Sequence, residues 1–342
     1  MDFKQLNRTD LRVSRLCFGT MTFGKPADQQ TCNRMVDQCI EAEINFFDTA
    51  NMYQVGVAES MLGVALKGKR DRQILATKVR FKMGEGPDES GLSKRAIYRA
   101  IDESLKRLQT DYVDIYYLHF PDYAVPIEET LEALEYLTKQ GKIRYSGTSN
   151  YAAWQQCEML CVAEKKGYKP AVITQPMYNL LARGIEQEWL PMTKHFGLSN
   201  IVYNPLAGGL LTGKHHIQSV MPGTRFDNNK LYQDRYWHPE DFAAVEKLQS
   251  IAKKAGRSLV SVALNWLLHH TAHVERYKSA QENATRMHRR TLRERTGERY
   301  ENAQENATRT RKENRPPRPC FRGGLLTRMR SPELKDVLSE DV

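Results

Sequence analysis

The sequence predicts an α/β protein in which parallel strands alternate with helices and curl into a (β/α)8 barrel. Three observations carry that expectation. Short, near-continuous apolar runs recur from residue 14 to residue 270, as in strands covered on both faces. Stretches with apolar residues at helical spacing lie between them. The C-terminal ends of successive runs carry Asp48, Lys78, His119, Ser149 with Asn150, Gln175, and Tyr203 with Asn204. An open doubly wound sheet satisfies the first two observations, but no GxGxxG follows an early strand. Six polar strand ends in a row, a lysine and a histidine among them, favour the barrel, whose site lies at that face.

The elements follow in order. A first strand falls near 13–19, and a helix follows with Cys32, Met35, Val36, Cys39 and Ile40 on one side. Strands at 45–48 and 73–78 precede Ser93, placed to cap a helix whose inner face is Ile97, Ile101, Leu105 and Leu108. After a strand at 112–119, the stripe Leu131, Leu134 and Leu137 ends at Gly141, a helix-stop position. Strands at 143–148, 171–175 and 200–203 come next, and Leu259, Val262, Ala263, Trp266 and Leu267 mark a last helix. Seven strands are readable; an eighth is not.

Composition sets the class. The chain has 342 residues, 40% hydrophobic and 27% charged, ordinary for a globular protein with a sizeable core. No apolar run reaches the roughly 18–20 residues that cross a bilayer, and residues 1–20 lack a secretory apolar stretch. A cytoplasmic protein is expected, with the six scattered cysteines as buried free thiols. The net charge of +10 is unevenly placed: residues 273–330 hold 16 Lys+Arg against 7 Glu, a net of +9. The basic character therefore says little about residues 1–272.

Four residues point to chemistry: Asp48, Tyr53, Lys78 and His119. Reduction of a carbonyl by hydride needs a proton donor beside the developing alkoxide. A tyrosine, with an ordinary pKa of about 10, is a good acid when a cation stabilises its phenolate. A lysine at the next strand end supplies that cation, and a carboxylate holds the lysine and compensates its burial. A histidine one strand further on is placed to donate a hydrogen bond that orients the carbonyl oxygen.

The residues around these four resemble the aldo-keto reductases. The resemblance rests on Phe-Gly-Thr-Met-Thr-Phe-Gly at 18–24, Phe-Asp-Thr-Ala-Asn-Met-Tyr at 47–53, Glu-Ser-Met-Leu-Gly at 59–63 and Thr-Lys at 77–78. It continues through Tyr-Leu-His-Phe-Pro-Asp at 117–122, Gly-Lys-Ile-Arg-Tyr-Ser-Gly-Thr-Ser-Asn at 141–150 and Tyr-Asn-Pro-Leu-Ala-Gly-Gly-Leu-Leu-Thr-Gly-Lys at 203–214. The last block looks like the branch of bacterial general-stress reductases and potassium-channel β subunits. The resemblance spans about residues 1–270 and implies a barrel preceded by an N-terminal β-hairpin. It implies NADPH-dependent reduction of aldehydes and ketones, with Asp48, Tyr53, Lys78 and His119 as catalytic residues and Tyr53 the general acid. It further implies that Gln175, Ser149 and Asn150 hold the nicotinamide carboxamide and that Tyr203 stacks on its ring. Asn204, Pro205, Leu206, Gly208, Leu210, Lys214 and Arg225 would clamp the pyrophosphate and nearby groups, and Gly19, Thr20 and Met21 would complete the cofactor set.

Other motifs carry less. Residues 208–214 fit GxxxxGK, but His215 stands where a P-loop needs Ser or Thr. His215–His216 and His269–His270 are neighbours rather than i,i+4 ligands, so solvated or capping histidines are expected and no metal site. Met21, Met52 and Met177 are expected to line the pocket. After residue 270 the resemblance ends, and with it the segment that binds the adenosine 2′-phosphate. Residues 273–330 instead carry a tandem repeat of period 23, with Glu-Arg-Tyr at 275 and 298 and Ala-Gln-Glu-Asn-Ala-Thr-Arg at 280 and 303. So polar a segment buries too little apolar surface to offset its ordering entropy. The expected organisation is a barrel at 1–272, a basic segment without a packed core at 273–330, and an acidic tail at 331–342. The basic segment offers charge for nucleic acid or another polyanion, without an interleaved aromatic motif. A barrel lacking its last strand, with impaired cofactor binding and a regulatory or redox-sensing role, is the alternative to a reductase.

Overall fold

A computed structural model describes residues 1–270 and the backbone of Val274–Ser279. The chain opens on a hairpin, β1 (Phe3–Gln5) antiparallel to β2 (Arg12–Ser14). Then β3 (Leu16–Gly19), α1 (Gln29–Glu41), β4 (Phe46–Asp48), α2 (Val57–Ala65), β5 (Ile74–Val79), α3 (Lys94–Leu108), β6 (Val113–Leu118), α4 (Ile127–Lys139), β7 (Ile143–Ser149), α5 (Ala153–Lys166) and β8 (Ile173–Gln175) alternate strand with helix. After α6 (Trp189–His195) and β9 (Ser199–Val202) come three helices, α7 (Lys230–Tyr236), α8 (Pro239–Lys254) and α9 (Leu259–His270), and finally β10 (Val274–Ser279). Strands β3 to β10 pair in parallel, each with its neighbour in sequence and the last with the first, as a closed barrel.

The sequence reading leaves the eighth place empty, and the structure corrects it. The backbone of β10 lies between β9 and β3, with Val274 opposite Asn200, and Arg276 opposite both Val202 and Leu16. Its composition, Val-Glu-Arg-Tyr-Lys-Ser, hides it from an argument based on apolar runs. Seven curled strands leave two facing edges with unpaired N–H and C=O groups. Any extended segment that reaches the gap satisfies both, so ladder pairing outweighs composition here. The rest of the 273–330 segment and the 331–342 tail lie outside the described residues.

Two helix signals act as read: Ser93 caps α3 through Ala96, and Gly141 follows α4 at φ 72°. Asp28, which the sequence reading does not single out, caps α1 by accepting from the Thr31 N–H at 2.8 Å. Strand side chains alternate between two cores. Cys17, Phe46, Ile74, Ala76, Ile115, Tyr117, Ile173 and Ile201 point into the barrel, whereas Phe18, Phe47, Leu75, Tyr116 and Leu118 meet the helices. Leu6, Leu11 and Val13 of the hairpin join the inner cluster and are buried, so the hairpin plugs the end of the barrel opposite the polar strand ends. Gly147 is required by this filling: a Cβ there would sit 2.6 Å from the Tyr117 ring and 2.9 Å from the Ile173 carbonyl oxygen.

The five described cysteines form no disulfide; Cys17, Cys32 and Cys39 are buried as expected, but Cys157 is half-buried and Cys161 exposed on α5. No described helix is long and apolar enough to cross a membrane.

An ionic lattice fastens the plugged end. Buried Asp114 accepts from Arg70 Nη2 and the Leu75 N–H, both at 2.9 Å, and from Arg144 Nη1 at 2.7 Å. The other arm of Arg144 reaches Asp10 in the hairpin turn at 2.7 Å, and the Tyr145 hydroxyl donates to the same carboxylate at 2.8 Å. That hydrogen bond and the Arg144 charge hold the Asp10 carboxyl below its ordinary pKa. Asp114→Ala removes the acceptor shared by three donors and leaves Arg70 uncompensated. It is expected to destabilise the fold by about 3 kcal/mol, read as a lower urea midpoint at unchanged slope; a midpoint equal to the wild type would show that the lattice carries no stability.

Candidate active site

Period-two alternation brings the polar strand ends together. Asp48 lies two residues beyond inward-facing Phe46, Lys78 two beyond Ala76, His119 two beyond Tyr117, Gln175 two beyond Ile173, and Tyr203 two beyond Ile201. Each therefore continues an inward row and meets the others at the open mouth. Lys78 and Asp48 are fully buried there. The Lys78 ammonium donates to Asp48 Oδ2 at 2.5 Å, to the Thr49 carbonyl at 2.8 Å and to the Tyr53 hydroxyl at 3.2 Å. Three acceptors match its three protons. Burial alone would push the Lys78 pKa down, but the Asp48 carboxylate and the Tyr53 oxygen outweigh it, and the pKa stands above the ordinary lysine value. Asp48 is held in turn by Gln175, whose Nε2 donates to Oδ1 at 3.0 Å.

His119 completes the group. Its ring lies edge-on to Tyr53 with centroids 6.0 Å apart and edge-on to Phe81 at 4.9 Å. Burial first, and the Lys78 charge second, hold its pKa well below the ordinary 6.5, so the imidazole is neutral near pH 7 and keeps one N–H to donate. A cavity opens beside Phe81, flanked by Asn51, Val55 and Arg99.

The opposite rim is built from β7, β8 and β9. The Ser149 hydroxyl donates to the Gln175 carbonyl at 2.9 Å, and Asn150 Nδ2 donates to the His119 carbonyl at 2.9 Å. The Tyr203 hydroxyl donates to Asn150 Oδ1 at 2.7 Å, which fixes a half-exposed ring at the mouth. Gly19 pairs with Asp48 across β3 and β4, the Thr20 N–H donates to the Asp48 carbonyl at 3.0 Å, and Met21 is half-buried in the next turn. A ring held by its own hydroxyl, next to two carboxamides and a serine, is a donor and acceptor set suited to a planar aromatic amide.

Beyond Tyr203 the chain turns back sharply. Asn204, Ala207, Gly208 and Gly209 have φ of 65°, 50°, 66° and 112°, a concentration of left-handed backbone that non-glycine residues rarely adopt. Gly208 has no room for a side chain, since a Cβ would sit 2.7 Å from the Tyr232 ring. The side chains of Leu206 and Leu210 belong to the core beneath, with Phe226 and Tyr236, so only their backbone is left to meet a ligand. Pro205 is buried, Lys214 is exposed at the end of the turn, and Arg225 lies over the Tyr232 ring at 5.4 Å and donates to its hydroxyl at 3.2 Å. The GxxxxGK spacing is no P-loop: it follows β9 and forms a 3-10 turn over Ala207–Thr212. His215 departs from expectation. It is buried between Phe226 and Trp237 with neither ring nitrogen hydrogen-bonded, and burial drives its pKa down to about 4. Aromatic packing, not solvent or a cap, receives it.

The sequence reading misses Thr49, which contributes only a carbonyl, and Phe81, which follows Lys78 by three. It also misses Asn179 and Tyr236, whose bonds to Asn204 cross from other elements; no local spacing announces them.

A family profile described as Aldo/keto reductase family matches residues 15–289. The chain is 37% identical over 273 residues to a probable voltage-gated potassium channel subunit beta of Oryza sativa subsp. japonica, covering 78% of this chain and 83% of that one. It is 38% identical over 279 residues to the uncharacterized oxidoreductase YrpG of Bacillus subtilis (strain 168), with the same coverage. Against aflatoxin B1 aldehyde reductase member 2 of Homo sapiens it is 38% identical over 267 residues, covering 74% of this chain and 73% of that protein.

The depressed histidine pKa values have a consequence for stability. Below the ordinary value of 6.5, the unfolded chain takes up protons that native His119 and His215 refuse. Stability therefore falls as pH drops below about 6.5, by up to ~1.4 kcal/mol per unit for each histidine. His119→Asn should flatten part of that slope in urea titrations from pH 7 to about 5. In the wild type the His119 ring carbon resonance should not titrate across that range; a midpoint near its ordinary pKa would contradict the burial argument.

Proposed function

The chain belongs to the aldo/keto reductase family, and from that premise we propose that it reduces aldehydes and ketones to alcohols with NADPH, using Tyr53 as the proton donor. The observation that carries the reading is the buried Asp48–Lys78–Tyr53 chain of contacts beside a neutral His119. Membership and the oxidoreductase relatives support carbonyl reduction in general.

The cofactor set proposed is Gly19, Thr20, Met21, Ser149, Asn150, Gln175, Tyr203, Asn204, Pro205, Leu206, Gly208, Leu210, Lys214 and Arg225. Ser149, Asn150 and Gln175 would hold the carboxamide of the nicotinamide against the Tyr203 ring. Lys214 and Arg225 offer the positive charge a pyrophosphate needs, and the backbone of the 204–210 turn offers a surface with few side chains in the way. The cofactor supplies the hydride when bound.

The remaining work falls to the chain's own groups. His119 donates its N–H to the substrate carbonyl oxygen and holds it beside Tyr53. As negative charge grows on that oxygen, the Tyr53 hydroxyl gives up its proton to it. The adjacent ammonium favours the resulting phenolate, and it costs little to arrange because Lys78 is already fixed by Asp48 and Thr49. Gln175 keeps Asp48 oriented, so Lys78 remains aimed at Tyr53.

Replacing Tyr53 by Phe removes the proton while keeping the ring. Turnover of a test aldehyde should fall by at least about 100-fold, with the NADPH dissociation constant, read by fluorescence quenching, within about twofold of wild type. Wild-type turnover in the variant would take Tyr53 out of the mechanism, and failure of the unaltered protein to bind NADPH or NADH would overturn the reading as a whole.

A further inference from the structure

We propose that Tyr236 is the positioning residue of the cofactor loop: its hydroxyl locks residues 204–210 in the one backbone conformation that admits the dinucleotide. The inference rests on the reading of this turn as a cofactor site, and it concerns a buried residue whose hydroxyl is engaged by protein groups.

Four of the six residues from Asn204 to Gly209 are left-handed, two of them non-glycine. Such a turn stores strain and persists only where its surroundings over-determine it. Gly209 N–H to Leu206 and Gly213 N–H to Leu210 are local turn bonds. Asn204 supplies the longer reach. Its Oδ1 accepts the Gly208 N–H at 2.7 Å, closing the turn on itself, and this works only if the carboxamide keeps one of its two flips.

Tyr236 braces that flip. Its side chain is buried at the end of α7, and its hydroxyl has every capacity engaged. The oxygen accepts from Asn204 Nδ2 at 2.7 Å and from Asn179 Nδ2 at 3.0 Å, and the O–H points at Met177 Sδ at 3.1 Å. The Gly208 N–H can only donate, so Asn204 keeps its oxygen there, and the Tyr236 oxygen accepts from the NH2 on the other side and braces the carboxamide in that flip. The same oxygen orients Asn179, whose Oδ1 accepts the N–H groups of Leu181 and Ala182 at 2.9 and 3.0 Å. Asn179 Nδ2 also donates to the Asn204 carbonyl at 3.0 Å. One phenol therefore ties the turn after β8, the turn after β9 and helix α7 into a single unit. Burial raises the hydroxyl's pKa well above its ordinary value, so it stays protonated and the pattern of donors does not change with pH.

The device acts on binding, because the loop lies across the mouth from Tyr53 and Lys78. Tyr236→Phe leaves both amide groups without their shared acceptor and loosens the Asn204 carboxamide that closes the turn. The NADPH dissociation constant should rise about tenfold, the equivalent of one to two lost hydrogen bonds. At saturating cofactor, kcat should stay within about twofold and its pH profile should keep its midpoints. Asn204→Ala should weaken NADPH binding as well, and adding Tyr236→Phe to it should cost less than it does in the wild type, because part of the hydroxyl's effect runs through that amide. Should Tyr236→Phe fail to fold, Asn179→Ala loosens the same oxygen from its far side and reads the same split between Kd and kcat. An unchanged Kd, a loss confined to kcat, or additive losses in the double variant would each overturn the inference while leaving the proposed reaction standing. A wild-type protein that binds no nicotinamide cofactor would overturn both.

Discussion

The structure depends on keeping one ion pair dry. Lys78 and Asp48 sit at the end of a barrel otherwise packed with Phe46, Ile74, Ala76, Ile115, Tyr117 and Ile173. Neither has measurable contact with solvent beyond a trace. Removing two charges from water costs several kcal/mol each, and their attraction offsets that only with good geometry and further hydrogen bonds. Thr49, Tyr53 and Gln175 provide these bonds. The consequence is rigidity: the ammonium cannot leave its three acceptors without stranding a charge, so it remains where a tyrosine needs it.

The architecture separates the cost of that arrangement from the stability of the whole. At the far end, the hairpin side chains and the Asp114 lattice with Arg70, Arg144 and Asp10 close the barrel. Between the two ends, side chains interdigitate so closely that Gly147 cannot carry a methyl group. Outside the barrel a further buried carboxylate, Glu59, accepts from Thr77 of β5 at 2.5 Å and from Arg107 of α3 at 2.7 Å. That contact holds the strand bearing Lys78 against its covering helix. Stability and chemistry thus occupy opposite ends of the same strands.

Much of this was legible in the sequence, for a physical reason. Buried parallel strands need apolar runs, helices need stripes and caps, and both signals are local. Asp48, Lys78, His119, Gln175 and Tyr203 were readable because each ends such a run. Less readable were contacts made across distance. The β10 strand carries Glu, Arg and Lys and is defined by the two strand edges beside it. Asn179 and Tyr236 look unexceptional in sequence and matter only because three elements meet at one hydroxyl. Leu206 and Leu210 sit in a motif that suggests ligand contact, while their side chains fill the core. His215 resembles a surface residue beside His216 and is instead enclosed by Phe226 and Trp237.

Closure by β10 also bears on how the chain acquires its fold. Leu16 and Arg276 are register partners, so the final ladder joins residues from opposite ends of the described chain. Contacts so distant in sequence slow folding, because chain entropy is lost before they form. During synthesis, β3 must wait for almost the whole described chain to emerge before its second neighbour exists. Until then β3 and β9 present open edges, the kind of surface that pairs with other chains. A strand with charged residues is a fitting last piece for such a barrel, since it stays soluble while it waits for its partners.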